Sequence, residues 1–472
     1  EPVPVKPWEG VWNASEPGSM CTQIRRVPPP KYGIWEKLVG DEDCLFLNIY
    51  TPELPKDGSN PYLDVLFNIH SGAFMYGWGH EFGPEILMDR DIIWVTINYR
   101  LSVLGFLDTQ DDVVPGGTSV QFHFLSPWSR GLFKGGISQS GTATVPWTIM
   151  EEGQVKAKKL GALVGCNTEN TKNLVDCLRD RPARQLVQQM WHLQQWMYNP
   201  YSPFGPTIEV EGSNPFLTKH PIDYLLKGEV QDSPWIVSVT TEDGLVPSGE
   251  WVTDDKFMRE LDKRFNELMV HILDFNYTVP NNLKEEVVDR IREHYLHNQS
   301  LSMKTFQQLT QIITDRVYLL DGARAAKLQA SVNKSPVHFY LFGYRGKHSM
   351  TDRLTGININ LGASHLDDTA YTIEYAFKTN ETEEDLQMCK LLLDIWTSFA
   401  ATGSPVPTGS KFQWEPTTPN TKDLKYLYIG GPNELQMRSS DKLGDPNFWD
   451  SLPIQEKQLR VDTPLTGKHN EL

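Results

Sequence analysis

A chain of 472 residues with a formal charge of −16, a sequence pI near 5.2 and 39% hydrophobic residues has the make-up of a soluble globular protein. That acidity argues against nucleic acid and anionic membrane surfaces as partners. No apolar run of about 18 residues occurs, so no membrane span is expected.

The chain opens at Glu1-Pro2-Val3 with no charged-then-apolar leader, as a mature or truncated chain would. Residues 1–60 read as loop-rich, with Pro28-Pro29-Pro30 and then a strand over Cys44–Tyr50. A β-branched run from Val65 to Ile69 ends abruptly in His70-Ser71-Gly72-Ala73-Phe74. Small residues at a strand end let a ligand approach the main chain and let backbone N–H groups face a developing negative charge. A neighbouring buried strand follows at Ile92–Tyr99, and a short one at Gly136–Ser140 breaks at Gly141. Glu151–Met197 is helical in pattern. Pro234–Thr240 is a strand ending at Thr241-Glu242-Asp243-Gly244, and residues 255–330 are amphipathic helix interrupted near Pro280. A strand at Val337–Gly343 and a helix at Glu383–Ala401, stopped by Gly403 and Pro405, complete the series. Strands alternating with helices predict an α/β fold around a mixed, largely buried sheet, and no Gly/Ser-rich linker divides it, so one domain is expected.

Five cysteines fall as two local pairs and one remainder, which predicts Cys21–Cys44 and Cys166–Cys177 bridges with Cys389 free. None forms a CxxC, so no metal site is expected. Asn-x-Ser/Thr sequons stand at Asn13, Asn276, Asn298, Asn333 and Asn380. With paired cysteines they point to the secretory pathway, either secreted or held in the endoplasmic reticulum lumen by the C-terminal His469-Asn470-Glu471-Leu472.

Three strand ends carry chemistry: the Gly72-Ala73 turn, the Glu242-Asp243 pair, and His365 in the loop Leu361–Asp368. An oxyanion turn, an acid and a histidine in that order are parts of an esterase relay. The chain resembles the type-B carboxylesterases, the cholinesterase-like branch of the α/β-hydrolases, in their insect form. The resemblance rests on EDCLFLNIYTP (Glu42–Pro52), HSGAF in place of HGGGF, and SPWSRGLFKGGISQSGTATVPW (Ser126–Trp147). It also rests on GASHLDD (Gly362–Asp368) and LLLDIWTSFAATGSPVP, and it covers essentially the whole chain.

The resemblance implies an α/β-hydrolase fold with a mixed, mostly parallel sheet flanked by helices. His365 would be the general base, and the N–H groups of Gly72 and Ala73 the first oxyanion donors. The acid falls at Glu242 or Asp243; its usual place directly before a glycine favours Asp243. It implies serine acyl-enzyme hydrolysis of a small carboxyl ester with no cofactor, and a homodimer as the assembly to expect.

The nucleophile is the exception. The family carries it in a G-x-S-x-G elbow, and no serine of this chain lies in that pattern. Between Pro115-Gly116 and Ser126-Pro127 there is no room for a helix, a strand and the elbow, a few tens of residues in all. Gly117-Thr118-Ser119-Val120-Gln121 lacks the closing glycine, and Gly136-Ile137-Ser138-Gln139-Ser140 corresponds to the next strand. The expected molecule is thus a single domain over residues 1–472, incomplete at its N-terminal side and with an internal deletion near 115–118. It would be inactive as written. The alternative is a non-catalytic binding or adhesion protein, or a carrier using Phe74 and Trp78. His348 has no catalytic context and is expected in solvent.

Overall fold

The computed structural model describes residues 3–26, 36–56, 61–81, 83–108, 118–209, 214–373 and 381–456. The strands are β1 (Gln23–Arg26), β2 (Glu36–Val39), β3 (Leu47–Tyr50), β4 (Asp64–Ile69), β5 (Ile92–Ile97) and β6 (Gly136–Gln139), then β7 (Trp235–Thr240), β8 (Val337–Phe342), β9 (Leu424–Gly431) and β10 (Glu434–Ser440). They form a β1-β2 ribbon, a three-stranded sheet in the order β3-β5-β4 and a five-stranded sheet in the order β10-β9-β8-β7-β6. Pairing is parallel from β6 to β9 and between β4 and β5, and antiparallel at β3 and β10.

β7 (WIVSVT) and β8 (VHFYLF) are buried at every position because helices cover both faces. On one side pack helices Asp255–Lys263, Phe265–Ile272, Lys284–Leu296, Phe306–Thr314 and Leu320–Val332. On the other lies the 20-residue helix Glu383–Thr402, opened by a Thr382/Asp385 capping box and closed by Gly403 at φ 74°. Its Leu392, Leu393, Ile395, Trp396 and Phe399 share one core with Trp94 and Leu66 of the smaller sheet and Ile236, Tyr340 and Ile429 of the larger. One helix therefore underlies both sheets, which are two stretches of one mixed, mostly parallel layer.

Several sequence readings change. The loop-rich opening holds the β1-β2 ribbon, tied down by the Cys21–Cys44 bridge. The helical stretch after Glu151 is three helices, Gly153–Leu163, Thr171–Arg179 and Ala183–Gln188, broken at Gly165 (φ 74°) and at Pro182. The second bridge, Cys166–Cys177, spans that first break, and Cys389 is free. The β9-β10 hairpin was not assigned, although Gly430-Gly431-Pro432-Asn433 between alternating residues signals it. Phe74 and Trp78 are core residues rather than a ligand wall: Phe74 packs edge-on to Phe106, and Trp78 lies under the Arg25 guanidinium. His348 is only partly in solvent, its Nε2 facing Glu381 at 3.8 Å. The seam near 115–118 falls in 109–117, outside the described residues save for Thr118; Asn380 and the C-terminal tetrapeptide also lie outside them.

Candidate active site

β7 delivers its carboxylate at its C-terminal end. Asp243 is fully buried, and three donors converge on it. Oδ2 accepts the Thr240 N–H at 2.9 Å and the Ser140 hydroxyl at 2.9 Å, while Oδ1 lies 2.7 Å from Nδ1 of His365. Such charge-assisted bonds replace the water the carboxylate has lost. With Nδ1–H donated to Asp243, the lone pair sits on Nε2, the form in which an imidazole accepts a proton. The glycine after Asp243 is forced: a Cβ at Gly244 would stand 2.4 Å from the Thr310 carbonyl oxygen.

The loop holding His365 is gripped from two sides. Glu242 does not reach the imidazole. Its carboxylate accepts the Ala363 N–H at 2.9 Å and the Thr241 hydroxyl at 2.5 Å, and burial raises its pKa. Asp367 accepts the Ser364 and Met350 N–H groups and the Ser349 hydroxyl, and burial pushes its carboxyl up to about 7. Asp368 accepts Ser238 and Tyr340 hydroxyls from β7 and β8, fixing the loop to the sheet. The ring of Tyr318, in the π-helical turn Asp315–Leu319, lies 4.9 Å from that of His365.

At the end of β4, Gly72, Ala73 and Phe74 adopt φ of 118°, 52° and 63°. A Cβ at Gly72 would stand 1.8 Å from the Tyr76 oxygen, so only glycine fits. The turn's carbonyls are all engaged: Gly72 accepts from Met75 and Tyr76 N–H, Ala73 from the Ser202 hydroxyl, and Phe74 from Ser102 N–H. The N–H groups of Gly72 and Ala73 find no acceptor among the described residues. Ala73 in the left-handed region costs about 1–2 kcal/mol, strain of the kind held at ligand clamps. The Tyr318 hydroxyl points to the Val246 carbonyl at 3.5 Å, and burial raises its pKa well above the usual phenol value.

The carboxylesterase family profile matches residues 1–117 and 114–449. The chain belongs to the carboxylesterase family. It is 36% identical to venom carboxylesterase-6 of Apis mellifera over 495 positions, covering 97% of this chain and 88% of the relative. It is 28% identical to juvenile hormone esterase of Tribolium castaneum, covering 95% and 86%. The crystal structure of juvenile hormone esterase from Manduca sexta, with OTFP covalently attached, superposes with a TM-score of 0.78 at 22% identity over 98% of this chain and 91% of that one. The chain therefore has the α/β-hydrolase fold.

No serine, threonine or cysteine among the described residues hydrogen-bonds the His365 ring. Ser140 is committed to Asp243, Ser138 accepts the Trp235 indole N–H, and the Ser119 hydroxyl is buried without a partner. The sequence sets Ser140 aside as a nucleophile without showing its bond to Asp243, and it gives no role to Tyr318 or Asp367. Ser140 stands at a strand end, a signal that could have found it; the approach of Tyr318 depends on a π turn with no local sequence mark.

Proposed function

We propose that the chain is a carboxylic ester hydrolase by descent, a single domain over residues 1–472 that lacks the segment bearing its nucleophile. The observation that carries this is the oriented imidazole. His365 is held by Asp243 in the proton-accepting form, yet no hydroxyl among the described residues hydrogen-bonds its other nitrogen. In the parent reaction His365 would take the proton of a serine attacking a small carboxyl ester. Gly72 and Ala73 would donate to the resulting oxyanion, and the same His365 would then return the proton to the leaving alcohol. Asp243 is the orienting acid and Glu242 a brace for the loop.

A deletion near 115–118 is supported by two facts. The family profile matches in two stretches that meet at 114–117. The Apis mellifera alignment runs to 495 positions yet takes only 97% of this chain, so the relative carries some tens of residues without counterpart here. An imidazole without its hydroxyl cannot begin acyl transfer, so the chain as it stands is inactive on this reading.

The bridges Cys21–Cys44 and Cys166–Cys177 support passage through the secretory pathway, with glycans at the sequon asparagines Asn13, Asn276, Asn298 and Asn333. No helix among the described residues is long and apolar enough to cross a membrane. The test is the purified 472-residue chain with a chromogenic short-chain ester and a fluorophosphonate. Neither turnover above an H365A control nor labelling is expected. A covalent adduct on any serine would overturn the reading.

A further inference from the structure

The helix Phe306–Thr314 runs into the helix Leu320–Val332 through the π-helical turn Asp315–Leu319. A π turn holds one residue more than the α turn it replaces. Moving that extra residue along the helix rotates the side chains it passes by about 100°. Where the extra residue sits therefore decides whether Tyr318 lies over His365, its ring 4.9 Å away and 35° from parallel.

What holds the turn comes from the far end of the chain. Gly444, at φ 72°, sits against the backbone of Leu320, where a Cβ would stand 2.5 Å from the Leu320 N and Cα. Trp449, fully buried, donates its indole N–H to the Tyr295 hydroxyl at 2.8 Å. That hydroxyl donates in turn to Asp315 Oδ2 at 2.9 Å, and Gln311 donates to Oδ1 at 2.6 Å. Arg316 is fully buried, and its guanidinium pairs with the Glu456 carboxylate. Its Nε donates to the Leu273 carbonyl at 3.1 Å, while Asp321 stands 3.9 Å from Nη1, outside hydrogen-bond reach. A buried guanidinium that loses its hydrogen-bonded carboxylate is strongly disfavoured, so Arg316 stays where Glu456 is. Leu452 and Ile454, between the two contacts, are buried in one core with Val317 and Tyr318.

We propose that residues 444–456 form a strap that sets the register of the π turn, with Trp449 and Glu456 as positioning residues for Tyr318 and, through it, for His365. The inference rests on the reading of His365 as the base of the relay. Trp449 acts through Asp315 and Glu456 through Arg316. Consecutive residues point to different sides of a helix, so gripping both leaves the turn a single register.

The test is NMR of the histidine-labelled full chain, following the His365 ring protons that the Tyr318 ring current displaces, with amide exchange at 315–319. Tyr318→Leu marks where those protons resonate without the ring. Glu456→Ala is expected to shift them toward the Y318L position and to speed exchange in the turn by about tenfold, the loss of one charge-assisted bond. Trp449→Phe, which keeps the aromatic bulk and removes the indole N–H, shifts them the same way. Glu456→Gln keeps an oxygen for the guanidinium and returns them toward the parent position. Arg290→Ala frees Ser451 of the same segment from the helix Lys284–Leu296 and leaves them in place.

The proposal is overturned if Y318L itself fails to move the His365 protons. It is overturned too if E456A and W449F lower the urea midpoint while those protons keep their parent positions, since the strap then only stabilises. An R290A shift equal to that of E456A also overturns it, because any loosening of the segment would then suffice. Ester turnover or a covalent adduct would overturn the preceding reading and leave the strap standing; the NMR outcome decides only the strap.

Discussion

Replacing Asp243 separates the cost of a buried carboxylate from the work it does on His365. Asp243→Ala removes the acceptor for Thr240 N–H, the Ser140 hydroxyl and His365 Nδ1–H at once, in a site with no exposure. The hydroxyl can rotate and the imidazole can change tautomer, but the Thr240 amide cannot move. One irreducible orphan plus three lost charge-assisted bonds gives a loss of about 3–5 kcal/mol, a large part of a domain's total of about 5–15. Asp243→Asn behaves differently. Its oxygen can keep Thr240 and Ser140, so the stability cost is about 1–2 kcal/mol. Its NH₂ then faces Nδ1, which must become the acceptor, and the ring proton moves to Nε2. The assay is ¹⁵N imidazole NMR of histidine-labelled chain, with the His365 resonance assigned by its loss in H365A, alongside urea unfolding. The expected result is an Nδ1–H tautomer in the parent and Nε2–H in D243N. An Nε2–H tautomer in the parent would refute the claim that His365 is held ready to accept a proton.

Three further outcomes follow from the same structure. Breaking Cys21–Cys44 with C21S/C44S, which opens a separation of 23 residues, costs about 3.4 kcal/mol on the chain-entropy account, and opening the 11-residue Cys166–Cys177 loop about 2.8. Only the first also loosens the site, because Gln23 clamps Gly77 behind the Gly72 turn; amide exchange at Gly77 distinguishes them. Gly362→Ala, at φ 115° with its new Cβ 2.4 Å from the Glu242 carboxylate, costs about 1–3 kcal/mol in urea unfolding and broadens the His365 signal. Burial pushes the Glu151 carboxyl up to about 8 and that of Asp367 to about 7. The folded chain thus retains protons that unfolded carboxyls release near pH 4, and stability falls as pH rises through 7 and 8. The thermal midpoint should drop between pH 6.5 and 8.5 and drop less in E151Q; a rise would contradict the assignment.

What the sequence by itself determined was local. Alternation and apolar runs marked β4, β5, β7 and β8. Gly403 and Pro405 marked the end of the helix from Glu383, and short separations marked both disulfides. Those signals are carried within a few residues of where they act. The Glu242-Asp243 ambiguity was not resolvable that way. Neighbouring side chains on a turn point apart, and which one meets an imidazole more than a hundred residues later depends on how β7 and β8 pair and on the Ser238 and Tyr340 anchors of Asp368. Only the tertiary structure placed Tyr318 on His365 and turned the Gly72 and Ala73 amides away from every neighbouring acceptor among the described residues. It also left one face of β3-β5-β4 uncovered. Whether an apolar strand is core or surface is decided by what packs on it, and that partner is never written in the strand itself.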